Sequence, residues 1–170
     1  MRIRAIAVAI SIAAAALGAG AQPGTAKPPK AKKTETIACN VRLLTQSFPT
    51  ASAPGEDFGT ISCSGPFGDG VQHDTFTLNP ETPTTGTAEL RFKAYFDHGT
   101  VSGVWRATYE FTSATTAIFD QRVEWTGGTG RYKHVRGTGT GTGVQNGNVG
   151  TITQTINVSG IPRGPQAGRG

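Results

Sequence analysis

The stretch Trp125-Thr126-Gly127-Gly128-Thr129-Gly130-Arg131-Tyr132-Lys133-His134-Val135-Arg136-Gly137-Thr138-Gly139-Thr140-Gly141-Thr142-Gly143 decides the fold of this 170-residue chain. Gly127 to Gly130 predict a tight turn. Beyond it, a strand places Gly137, Gly139, Gly141 and Gly143 on one face, because side chains alternate across a strand. That face is bare, so bulky neighbours or a ligand can approach the backbone there. A phosphate loop does not fit. The stretch has no Gly-x-x-x-x-Gly-Lys-Ser/Thr, no complete Gly-x-Gly-x-x-Gly fingerprint before a helix, and no helix to supply a dipole.

Outward from this strand, period-two alternation broken by turn residues recurs along the chain. It predicts strands over 35–44, 57–64, 70–78, 86–97, 100–112, 115–126, 135–145 and 148–159. Pro54-Gly55, Pro66 to Gly70, Pro80 to Pro83, His98-Gly99, Gly127 to Gly130 and Asn146-Gly147 separate them. The Asn146-Gly147 pair predicts a type I′ hairpin, since both residues tolerate positive φ. Leu90, Phe92, Ala94 and Phe96 share one face of their strand. Val101, Trp105, Ala107, Tyr109 and Phe111 do so on the next, and Phe119, Gln121, Val123 and Trp125 on the one after. The opposite faces carry mixed charges, the pattern of a solvated surface with weak ion pairs. Eight strands of similar length joined by short turns predict an all-β fold, an eight-stranded antiparallel up-and-down β-barrel, with a β-sandwich as the alternative. Closure removes exposed edges, and eight strands can leave room for one small ligand.

Gly127, Gly128, Thr129, Gly130, Arg131 and Tyr132, followed by Gly137 and Gly139, resemble the Gly-Gly-Thr-Gly-Arg/Lys-aromatic turn and glycine-rich strand of the allene oxide cyclase and dirigent-like barrel group. The resemblance covers residues 86–160. It implies an eight-stranded antiparallel barrel, often trimeric, with a hydrophobic pocket. Members cyclise an unstable fatty-acid epoxide or steer phenoxy-radical coupling. Neither activity needs a protein-bound cofactor, so none is expected. No pocket residue of the group is carried over to a position in this chain, and neither are its activities.

The ends of the chain read as addresses and tethers. Met1–Arg4 is positive, Ala5–Leu17 is an uncharged, largely apolar run of 13 residues, and Ala19-Gly20-Ala21 offers small residues for cleavage. This predicts a signal peptide over 1–21, too short to span a bilayer. Residues 22–33, rich in Lys and Pro, predict a disordered linker, and residues 163–170 a disordered tail, leaving 34–162 as the barrel domain. The formal charge is +5, yet residues 34–162 hold 8 basic and 11 acidic side chains. The basic excess thus lies in Arg2, Arg4, Lys27, Lys30, Lys32, Lys33, Arg163 and Arg169, so no nucleic-acid partner is expected. No later segment is apolar enough for a membrane span. Cys39 and Cys63, the only cysteines of an exported chain, predict a disulfide and a secreted, periplasmic or envelope location.

Little in the sequence points to conventional catalysis. His73, His98 and His134 lack ligand spacing, so no metal is expected. No Gly-x-Ser-x-Gly elbow is present. Asn157-Val158-Ser159 matches a glycosylation sequon but lies within a predicted strand. The informative residues are polar ones on apolar faces: Asp74, Tyr109, Gln121 and Gln154. Together with Trp105 and Trp125 they form the candidate ligand-binding set, since a pocket places a few polar groups among aromatics. The expected function is a secreted barrel binding or steering a small hydrophobic molecule. If it catalyses, it does so as a cyclase or isomerase relying on proximity. The alternative is a non-catalytic envelope or extracellular interaction module. An open cavity lined by Trp105, Tyr109 and Gln154 favours the first; a barrel plugged by its own side chains favours the second.

Overall fold

The computed structural model describes residues 33–161. The predicted signal peptide, most of the linker and the C-terminal tail lie outside the described residues. Eight strands follow in order: β1 (Thr34–Ser47), β2 (Gly55–Cys63), β3 (Gly68–Pro80), β4 (Thr85–Phe96), β5 (Gly99–Phe111), β6 (Thr116–Gly128), β7 (Arg136–Asn146) and β8 (Val149–Ser159). Each pairs antiparallel with its sequence neighbour, and β8 pairs with β1, closing an up-and-down barrel. The sandwich alternative is thereby excluded. No helix among the described residues is long and apolar enough to cross a membrane.

The glycine strand explains how this barrel closes. β7 lies between β6 and β8, with Gly137 beside Trp125 and Val158, Gly139 beside Val123 and Ile156, and Gly143 beside Phe119 and Ile152. Two rows of large inward side chains flank one row with none, so the neighbours occupy the bare face themselves. The same exchange recurs elsewhere: Phe76 covers Gly55, Phe92 covers Gly103, and Tyr109 covers Gly86. This exchange fits large side chains into an interior too narrow for bulky residues on every strand.

Two local features depart from the sequence expectation. The β7–β8 loop is Gly147-Asn148, with φ of +60° at Gly147 and no positive φ at any non-glycine residue. Only the first central residue is left-handed, which excludes the type I′ turn and satisfies the demand of type II′. Phe111 keeps the parity of Tyr109 but stands exposed where β5 ends, because the barrel stops there.

One end of the barrel is closed. Its connections are β2–β3, β4–β5 and β6–β7, the last containing a single 3₁₀ turn at Gly130–Tyr132. Phe67 stacks on Tyr132 at 4.8 Å between ring centroids and meets Trp125 edge-on at 5.0 Å. The Tyr132 hydroxyl donates to the Pro66 carbonyl at 2.9 Å. Buried aromatic pairs of this kind contribute about 0.5–1.5 kcal/mol beyond their area. Cys39 and Cys63 are direct partners across β1 and β2, joined by a disulfide inside this core. Such bonds persist in oxidising compartments, and closing a 24-residue separation stabilises the fold by roughly 3–4 kcal/mol. Outside, Glu89 bridges Arg91 at 2.9 Å and Arg106 at 3.4 Å. These exposed pairs contribute about 0–1 kcal/mol each.

Candidate functional site

The opposite end, where β1–β2, β3–β4, β5–β6 and β7–β8 connect, encloses a cavity of about 320 Å³. Its origin is legible strand by strand. Ala88 on β4, Ala117 on β6 and Gly150 on β8 face inward with little or no side chain. Leu43, Phe76, Leu90, Phe119 and Ile152 supply apolar walls, and Phe48 and Phe111 form an exposed aromatic rim. Small residues at this end and aromatics at the other thus decide which half of the interior stays unfilled.

The cavity also carries polar groups: Thr45, Asp57, Tyr109, Gln121 and Gln145. Asp57 faces Asp74 directly across β2 and β3. Gln72 Nε2 donates to both carboxyl oxygens of Asp74, at 2.9 and 3.0 Å. Gln145 Nε2 donates to Thr45 Oγ1 at 3.1 Å. Burial pushes the Asp74 carboxyl up to about 8, against the opposing hydrogen bond from Gln72 and with a further rise from the Asp57 charge. Burial also raises Asp57, opposed by a hydrogen bond to Thr45. The buried carboxyl therefore holds its proton at neutral pH, because charging it there is costly. Asp57 Oδ1 and Gln121 Nε2 are buried and have no protein partner.

Of the six residues expected from sequence, all face the interior, but they divide by depth. Tyr109 and Gln121 line the cavity. Asp74, fully buried, sits across the strand pair from Asp57. Gln154 lies across from Cys39 and against Gly141, where an added Cβ would meet Gln154 Cβ and Gln121 Nε2, each at 2.9 Å. Trp105 and Trp125 belong to the packed core, at 0% and 1% exposure, and are not among the cavity's lining. Asp57, Thr45, Gln72 and Gln145 were not expected. Parity would have found all four: Asp57 alternates with Ile61 and Cys63, and Gln72 with Asp74 and Phe76. Thr45 continues the row of Val41 and Leu43, and Gln145 that of Gly141 and Gly143. Among the described residues no group of three His, Cys, Asp or Glu side chains could hold a metal ion. His73 instead stacks on Phe58, ring centroids 4.3 Å apart.

No protein-family model matches the chain, and no curated protein does. Among solved structures, the chain is similar to a pyocyanin demethylase at 18% identity, covering 75% of this chain and 100% of that one, with a TM-score of 0.43.

Proposed function

We propose that this chain is an exported barrel whose open end binds a small hydrophobic molecule and restricts its conformations. The observation that carries this is the cavity itself, at the lower end of the size range of ligand pockets and lined by apolar walls with a few polar groups left free. The likeness of Gly127–Tyr132 and the following glycine strand to allene oxide cyclase and dirigent-like barrels supports it. So do the Cys39–Cys63 disulfide and the signal-like N-terminal sequence, which fit an exported protein. Trp105 and Trp125 serve this site as the packed floor that fixes the strands. Tyr109 and Gln121 present a hydroxyl and an amide to the ligand. Asp74 and Gln154 sit behind them.

Filling the cavity tests the proposal. The variant Ala88→Phe is expected to fold, at an overpacking cost of about 1–3 kcal/mol. It should weaken binding of lipophilic probes about tenfold or more, measured by calorimetry beside the native protein. A native chain that takes up no member of a broad lipophilic panel would sink the proposal.

An association between copies of the chain is favoured by a separate observation. On the outer face of β1 to β4, Leu44, Phe58, Val71 and Tyr95 remain exposed, and Leu44 pairs with Phe58 and Val71 with Tyr95. Two exposed apolar pairs on neighbouring strands offer a surface that a second copy can cover. Light scattering after size exclusion is expected to give a multiple of the chain mass, reduced to one chain by Phe58→Asp. A native single-chain mass at micromolar concentration would rule this out.

A further inference from the structure

Beyond its apolar walls, the cavity has an electrostatic character that selects among hydrophobic molecules. Asp57 is the one charged residue among its described lining side chains, and none of those is basic. Asp57 is 6% exposed, and its Oδ1 lacks a partner within the protein. The second carboxyl, Asp74, stands directly across from it. Independently of this pair, Gln121 is 5% exposed, lines the same cavity and leaves its Nε2 without an acceptor.

We propose that the cavity selects small lipophilic amines, whose ammonium group is received by Asp57 Oδ1 while their apolar body lies against Phe76, Phe119 and Ile152. This rests on the open end being a ligand site, and it names the ligand's chemical class. The physical reason is desolvation. A carboxylate ligand would bring a second negative charge beside the buried Asp57 with no cation to meet it, which is strongly unfavourable. A neutral alcohol can donate one hydrogen bond to the Asp57 carboxylate but leaves its charge uncompensated. An ammonium donates a hydrogen bond and also brings the opposite charge, compensating the buried carboxylate. A fatty-acid ligand is therefore disfavoured. An amine that also carries an acceptor oxygen engages Gln121 Nε2 as well.

Three probes that differ only in their polar end separate these cases: naphthylmethylamine, naphthylmethanol and naphthylacetate. Each is titrated by calorimetry near neutral pH into the native chain and into Asp57→Asn. The amine is expected to bind the native chain about 10-fold or more tighter than the alcohol, and the acid most weakly. In Asp57→Asn the amine should lose its advantage over the alcohol, whose own binding falls by less. An alcohol or acid that binds the native chain as tightly as the amine overturns the amine selectivity but leaves the cavity as a ligand site. So does an amine preference that survives in Asp57→Asn. Binding of none of the three overturns both. The ranking on the native chain stands by itself should Asp57→Asn fold poorly.

Discussion

Gly139→Val is expected to prevent the barrel from closing. A Cβ at this position would strike the Thr155 carbonyl oxygen and lie 2.7 Å from Ile156 Cα. Both are backbone atoms of β8, so no rotamer change relieves the collision. β7 would have to separate from β8, breaking the ladder between Arg136↔Ser159 and Asn146↔Val149. Loss of that seam opens the barrel and exposes two strand edges. The destabilisation should exceed about 4 kcal/mol, the range of severe single substitutions. Thr140→Val, its outward neighbour, is expected to change stability by no more than about 0.5 kcal/mol. Circular dichroism and thermal melting of the two variants compare them directly. A Gly139→Val protein that melts like the native one would show that β7 need not be bare.

Replacing Asp74 by asparagine should stabilise the protein, and by more as pH rises. The carboxyl is raised from 3.8 when unfolded to about 8 when folded. Between those values the folded state keeps a proton that the unfolded chain releases. The contribution of Asp74 is therefore fully present below about pH 4 and is lost progressively as pH rises toward 8, after which it is constant. At pH 7 the loss is on the order of 4 kcal/mol. Asparagine carries no such penalty, and its amide can still pair with Gln72. The melting temperatures of the two proteins should nearly coincide near pH 4 and differ by about 10–15 °C near pH 8. Parallel curves across that range would mean that Asp74 does not hold its proton. Asp57, raised by the same burial, contributes with the same sign in both proteins.

Much of the fold was written locally. Period-two alternation and turn residues placed every strand to within a few residues, because a strand with one buried face must alternate wherever it runs. The disulfide was legible from the count, two cysteines in a chain with an export signal, and the register sets them opposite each other across β1 and β2. The hairpin type was not. Asn146-Gly147 admits more than one turn, and the β7–β8 register, which pairs Asn146 with Val149, selected the loop that leaves only Gly147 left-handed. Phe111 shows the complementary failure. Parity assigns a face, but whether a residue at a strand's end is covered depends on what lies beyond it.

The candidate site divides along the same line. The sequence by itself determined which polar residues enter the interior, since Asp74, Tyr109, Gln121 and Gln154 follow from alternation alone. Only the tertiary structure decided their depth. Depth depends on how the eight strands are staggered, and that stagger put Trp105 and Trp125 in a filled core while leaving Tyr109 and Gln121 beside open space. It also set Asp57 against Asp74, two residues 17 positions apart whose meeting depends on one register across β2 and β3. Side-chain alternation is a property of each strand, whereas cavity and carboxyl pair are properties of strands in contact.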